Sequence, residues 1–409
     1  MLLEFSIENF LSFKDRTTFS MVASIDKKEP ANLIKFNKIN ILKSAVVYGA
    51  NASGKTNLIK AFRFVSNLIK NSHKNQMGEE ISDIAPFKLD ETYIDKPSSF
   101  EMIFIKNDIK YVYGFSADRI RVYDEYLFYY PQNRSARIFE RHYHNKYEFS
   151  MNRKEQKDIS KRTLDNALYL STSANWNYKG TKEAFEWFAE KLRFTSSESG
   201  IIYTIKQFNE NSESAKSIKN FISEADLGII DMNAAVRDVS EKTFPKELPD
   251  DVKRALLSLG GMEPEIKAIH IGKDKEGKEK TIEFDFEEES EGTRKMFNLA
   301  GPFNDVLKNG RLLVIDELDT KLHPLLTKYL VELFHNPNKN VSGAQLIFTA
   351  HCTHLLHEKV LRRDQIWFTS KRSDQSTDLY SLYEYKARND EDIEKRYLAG
   401  RYSAIPVLS

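Results

Sequence analysis

Cysteine is almost absent. Cys352 is the single one among 409 residues, so no intrachain disulfide can form. A chain without disulfides suits a reducing compartment, and a cytoplasmic protein is expected. Long apolar runs are missing as well: no stretch approaches the roughly 20 residues that a membrane-spanning helix needs, so no membrane partner is expected. Net charge is scarce. The 61 Lys and Arg oppose 60 Asp and Glu, which leaves +1 and no chain-wide electrostatic footprint for nucleic acid. Glu4 and Glu8 stand where a secretory signal would need a basic and then an apolar stretch. Between 151 and 260 no apolar heptads are sustained, and Pro245 and Pro249 interrupt, which excludes a long coiled coil. His351, Cys352, His354 and His357 lack a complementary Cys or His cluster elsewhere, which makes them a poor zinc site.

What the chain does have is a complete phosphate-binding loop, Gly49-Ala50-Asn51-Ala52-Ser53-Gly54-Lys55-Thr56. Ser44 to Tyr48 before it reads as a buried strand, and Asn57 to Val65 after it has apolar positions at helical spacing. Strand, glycine loop and helix form the context this motif requires. Gly49 and Gly54 let the backbone curl so that successive N–H groups point at phosphate oxygens. The helix start adds unpaired N–H groups and a positive dipole end. Asn51, Ser53 and Asn57 complete the cradle, Lys55 reaches the β- and γ-phosphates, and the Thr56 hydroxyl ligates magnesium. ATP and Mg2+ are the expected cofactors.

A second motif follows far downstream. Leu312 to Ile315 is an apolar strand whose end presents Asp316 and Glu317. Asp316 is expected in the magnesium shell, and Glu317 is expected to polarise the attacking water. Around these motifs the chain alternates in character. Leu3, Phe5 and Ile7 share one face of a strand, paired with Thr17 to Val22. Ser99–Ile105, Tyr111–Phe115, Val122–Tyr130 and Ala136–Arg141 continue an antiparallel series. From 151 to about 260 the pattern is helical, with candidates at Leu164–Leu170, Thr181–Leu192, Ser214–Ile222 and Asp250–Leu259. Strands return at Ile266–Ile271 and Thr281–Phe286, then come a helix from Gly292 to Leu307 and strands at Gln345–Thr349 and Gln365–Phe368.

Together these residues carry a resemblance. Asp316-Glu317-Leu318-Asp319 followed by Leu322-His323-Pro324 resembles the Walker B motif and D-loop of ABC-type ATPases in the SMC/RecF/OLD branch. Phe348-Thr349-Ala350-His351 is similar to that family's switch histidine, and Glu289-Ser290-Glu291-Gly292-Thr293 stands in the place of its signature loop. The opening Phe5 to Phe13 resembles the first strand of the branch. The resemblance implies an α/β fold, an ABC-type P-loop ATPase core with an antiparallel β subdomain and a helical insertion. The core is expected over 1–150 and 262–409, and the insertion, for dimerisation or partner docking, over 151–261. It further implies ATP hydrolysis in a homodimer or higher homo-oligomer. Ser290 and Gly292 would then meet the γ-phosphate of a facing protomer, Asp319 would lie at the seam, and His351 would contact the γ-phosphate or the water. Ser290 also suits a plain helix cap. The family's coupling glutamine finds no convincing match; Gln76 and Gln132 are rough candidates only.

The use of the nucleotide is read from the same resemblance. The chain ends about fifty residues past His351, without the Toprim nuclease that single-chain OLD-type enzymes append. Compact ATPases of this build, with the tail Arg401 to Pro406, resemble bacterial antiphage-defence ATPases of the RloA and PARIS type. That implies an ATP-dependent sensor or scaffold controlling a separately encoded toxin or nuclease effector. A RecF/SMC-like DNA-maintenance ATPase is the alternative. Residues 131–162 carry nine Lys/Arg, among them Arg137, Arg141, Arg153 and Lys157, against four Asp/Glu. Such a segment could track a DNA backbone, and equally serve as a solvated face or meet an acidic protein.

Overall fold

The computed structural model describes residues 1–195, 197–225, 228–238, 262–357, 360–385 and 392–405. The helix candidate Asp250–Leu259, Pro245, Pro249 and Pro406 lie outside them. The chain divides into two compact units: 1–194, 307–320 and 330–409 form the first, 195–306 and 321–329 the second. Among the described residues, no helix is long and apolar enough to cross a membrane.

The first unit is built on two sheets. Strands β1 (Leu2–Glu8), β2 (Thr17–Ser20), β6 (Ser98–Lys106), β7 (Ile109–Ala117), β8 (Val122–Tyr130), β9 (Ala136–His142) and β10 (Lys146–Phe149) form a seven-stranded antiparallel sheet. Its order is β10-β9-β8-β7-β6-β1-β2. A small hairpin, β3 (Leu33–Phe36) and β4 (Ile39–Leu42), stands apart. The other large sheet has the order β11-β15-β16-β5-β17-β18. Its members are β5 (Ser44–Gly49), β11 (Leu192–Thr195), β15 (Leu312–Ile315), β16 (Gln345–Thr349), β17 (Ile366–Lys371) and β18 (Thr377–Ser381). Strands β15, β16, β5 and β17 run parallel. Every residue of β5, β15 and β16 is buried. That is why their sequences are continuous apolar runs rather than alternating ones.

Helix α1 (Lys55–Asn71) joins the two sheets in one core. Its Phe62 ring lies 4.2 Å from Phe5 on β1, and its Phe64 ring lies 5.2 Å from Phe100 on β6. The antiparallel strands fall where alternation places them. Two expectations about the following region change. The helix expected at Leu164–Leu170 instead spans Tyr169–Asn175. The buried Glu125 carboxylate accepts the N–H groups of Tyr169 at 2.6 Å and Leu170 at 2.9 Å, so the first turn is set by a distant strand. The unit boundary also lies at 194, not at 151. Residues 151–194 complete the first unit's core: Trp187 stacks on Phe104 at 4.4 Å, and Tyr169 packs on Phe139 at 4.6 Å.

In the second unit, helices Ser197–Glu210, Ser212–Glu224 and Glu291–Asn309 accompany a three-stranded sheet of order β12-β13-β14. The hairpin β13 (Met262–Lys273) and β14 (Glu279–Asp285) follows the alternation seen in sequence. Strand β12 (Asp231–Asp238) is an addition to a region that reads as helical. Pro302 interrupts the ladder of the Glu291–Asn309 helix, because it has no N–H for the carbonyl four residues earlier. Thr204 enters at the break: its Oγ1 lies 3.4 Å from Asn298 O, the carbonyl Pro302 cannot serve, donates to Phe297 O at 3.1 Å and accepts the Gly301 N–H at 3.0 Å.

Candidate functional site

The loop between β5 and α1 is shaped by its glycines. Gly54 holds a φ of 116°, and a Cβ there would lie 2.2 Å from Thr377 Oγ1. A Cβ at Gly49 would lie 2.3 Å from Thr369 Oγ1. Neither position admits a side chain. Ser53 Oγ is 2.6 Å from Thr369 Oγ1 on β17, and Thr377 Oγ1 on β18 donates to Ser53 O at 2.9 Å. Asn57 Nδ2 donates to Ser12 Oγ at 2.7 Å, and Thr377 Oγ1 lies 2.6 Å from that same oxygen. Asn57 therefore braces the loop from below, while Asn51 and Thr56 are exposed.

Lys55 is buried and donates to Gly49 O at 2.7 Å and Ala50 O at 3.1 Å. Its ammonium occupies the mouth of the loop, where phosphate oxygens of a nucleotide would replace those carbonyls as acceptors. Burial lowers its pKa, and the carboxylates of Asp316, Glu317 and Asp319 act against that shift. The acids at the end of β15 thus face the loop, as an order of β15-β16-β5 with parallel strands requires.

Thr349, the last residue of β16, ties the two acids together. Its Oγ1 donates to Asp316 Oδ1 at 2.6 Å and accepts the Glu317 N–H at 2.7 Å. Glu317 is exposed and holds a φ of 52°, a left-handed backbone uncommon outside glycine. His351 Nε2 stands 3.4 Å from Glu317 Oε1. The expected magnesium ligands are of the kind that ion takes: Thr56 is an exposed hydroxyl at the helix start, and Asp316 is a carboxylate whose charge reaches Lys55.

Asp319, expected at a seam between copies, is braced inside its own chain. It is buried, and its Oδ2 accepts the N–H groups of His351 at 2.8 Å and Cys352 at 2.5 Å. Within the chain it holds the histidine loop. Ser290 and Gly292 belong to the second unit. Ser290 Oγ accepts the Thr293 N–H at 3.1 Å, so it caps the helix it precedes. Glu291 pairs with Lys321 at 2.7 Å, and a Cβ at Gly292 would approach Lys321 O to 3.0 Å.

The basic segment 131–162 is partly spent on the fold. Arg141 is buried, donates to Ala167 O at 2.7 Å and lies 3.8 Å from Glu125; it offers nothing to a DNA backbone. Arg137 is held by Glu140 and Glu148, and Arg162 lies over the Trp176 ring at 4.0 Å. Ser12, Thr349, Thr369 and Thr377 were not anticipated as parts of the site. For Thr349 a signal existed, since a polar residue ends an otherwise apolar strand beside the histidine.

A glycine loop between a buried parallel strand and a helix, faced by two acids from a strand two places away, defines a P-loop ATPase. The chain belongs to the family described as "AAA domain, putative AbiEii toxin, Type IV TA system", whose model matches residues 44–356. AAA domains are ATPase domains. No curated protein matches the chain. Among solved structures it is similar to "Crystal structure of the SmcHead bound to the C-winged helix domain of ScpA", at 15% identity and a TM-score of 0.41. That likeness covers 94% of this chain and 99% of the other.

Proposed function

We propose that this protein hydrolyses ATP with Mg2+ and that two copies close on the nucleotide. The loop N–H groups and Lys55 bind the phosphates, and Thr56 and Asp316 hold the ion. Glu317 takes the proton of the attacking water, and His351 keeps the Glu317 carboxylate in place. Bound Mg2+ supplies charge neutralisation at the phosphate oxygens. Ser290 and Gly292 of a second copy offer a helix N-terminus to the terminal phosphate. The observation that carries this reading is Thr349, which fixes Asp316 and Glu317 in one hydrogen-bonded unit.

In this reading ATP works as a switch on assembly, and the assembly acts as sensor and scaffold for a separately encoded toxin or nuclease effector in antiphage defence, as in RloA- or PARIS-type systems. The family's description, which names a toxin and a Type IV TA system, supports a place among such systems. The buried Arg141 and paired Arg137 weaken the DNA-maintenance alternative.

Glu317→Gln should keep ATP affinity, lower phosphate release at least about 100-fold, and double the mass seen by light scattering when ATP is present. Wild-type turnover by that variant would remove Glu317 from the role of base. Lys55→Ala is the companion test and should abolish nucleotide binding. A second protein recovered in stoichiometric amount from the native host tests the effector reading.

A further inference from the structure

The loop that carries His351 is held from a third direction, by residues outside every motif in the site. Tyr48, one residue before Gly49, is fully buried, and its phenol donates to Cys352 O at 3.1 Å. Burial raises its pKa well above 10, with Asp319 next in effect, so the phenol stays protonated and remains a donor. Thr353 Oγ1 donates to Glu394 Oε1 at 2.5 Å. Glu394 lies on the short helix Ile393–Leu398 near the end of the chain.

The same terminal segment covers Tyr48. The Tyr397 ring lies 5.8 Å from Tyr48 and stacks on Phe368 of β17 at 5.5 Å. Tyr402 also stacks on Phe368, at 5.2 Å, and its carbonyl accepts from Tyr380 Oη. Tyr397 Oη donates to Ala404 O at 3.3 Å, which closes the segment on itself. The tail is therefore a folded aromatic lid over the strand that enters the phosphate loop.

We propose that segment 392–405 is a positioning element for His351. Tyr397 holds the Tyr48 ring, Tyr48 holds the Cys352 carbonyl, Glu394 holds the Thr353 hydroxyl, and the histidine is thereby set against Glu317. This rests on the reading of Glu317 and His351 given above. It assigns the tail a part in turnover, not in binding nucleotide, because the contacts named above end on Tyr48, on β17 and on the histidine loop. It also means that a partner pulling on the tail would change the rate of hydrolysis without touching ATP.

The test is steady-state hydrolysis by the full chain, with nucleotide affinity measured separately by fluorescent ATP analogue. Tyr48→Phe keeps the ring and removes the donor; Glu394→Ala removes the acceptor, and Glu394→Gln restores one. Tyr48→Phe and Glu394→Ala should each lower kcat about five- to tenfold, the size of one lost hydrogen bond, with KM and affinity within about twofold. Glu394→Gln should return most of the rate. Wild-type kcat in both Tyr48→Phe and Glu394→Ala overturns the proposal. So does a loss confined to ATP affinity, or a Glu394→Gln variant as slow as Glu394→Ala. Absence of hydrolysis by the wild-type protein would instead sink the ATPase reading on which this one depends.

Discussion

Glu317 keeps a left-handed backbone at 52° in φ, which costs a non-glycine residue on the order of 1–3 kcal/mol. The hydrogen bond from its N–H to Thr349 Oγ1 stabilises that conformation and aims the carboxylate out of the strand toward solvent and His351. Thr349 is thus as much a part of the acid pair as the acids. Replacing it with Val keeps the shape but removes one donor and one acceptor, and takes from the Glu317 N–H its bond to Thr349. We expect Thr349→Val to lower kcat about tenfold or more while ATP still binds. Phosphate release against ATP concentration decides it; an unchanged rate would show that Glu317 holds its aim without help.

Among elements, the Glu291–Asn309 helix is the one most dependent on a neighbour. Pro302 breaks its ladder, and the hydroxyl of Thr204, from the Ser197–Glu210 helix, bonds Phe297 O and the Gly301 N–H and lies 3.4 Å from Asn298 O. A Cβ at Gly301 would lie 2.6 Å from Thr204 Cα, so the two helices meet at backbone distance. Thr204→Val should cost about 1–3 kcal/mol through the unpaired Phe297 carbonyl and Gly301 N–H. Gly301→Ala should cost a similar amount by overpacking. Hydrogen exchange over residues 291–306 should rise in both variants; protection equal to wild type would contradict that role.

This helix also shows where sequence reading stops. Its span was legible from apolar spacing, as were β5, β15 and β16 from their unbroken apolar runs, and the phosphate loop and Asp316-Glu317 from local chemistry. The Ser197–Glu210 helix was not legible, because its key residues, Gly200 and Thr204, are chosen for close approach to a partner about a hundred residues away. Ser12 and Thr377 escaped for the same reason: they brace the loop from opposite ends of the chain. Asp319 was recognised, but its burial against His351 and Cys352 depends on where β16 ends, which no local pattern reveals.

For the molecule as a whole, the first unit is welded at one buried polar junction. His335 lies 2.8 Å from Ser44 Oγ on β5 and 3.3 Å from Gln365 Nε2, which also donates to Ser44 O at 2.9 Å. Burial, aided by Lys43, lowers the His335 pKa from 6.5 to about 3. The imidazole is neutral in the fold, while the unfolded chain takes up a proton below 6.5. Its contribution is therefore complete above pH 6.5 and is lost as pH falls toward 3. The limit is about 1.4 kcal/mol per pH unit. Between pH 6.5 and 4.5 the wild-type melting temperature should fall more steeply than that of His335→Gln. Parallel pH curves for the two proteins would contradict it.

The central sheet has a further consequence for how the protein is made. β5 leaves the ribosome early, yet its neighbours on either side are β16 and β17, some three hundred residues later. Until those strands are synthesised, the apolar run Ser44–Gly49 has no partner, and the glycine loop after it has no walls of Thr369 and Thr377 to shape it. Pairings this distant fold slowly and leave apolar strands exposed meanwhile. A nascent chain stopped before residue 345 carries the whole phosphate-binding motif without the strands and threonines that shape it.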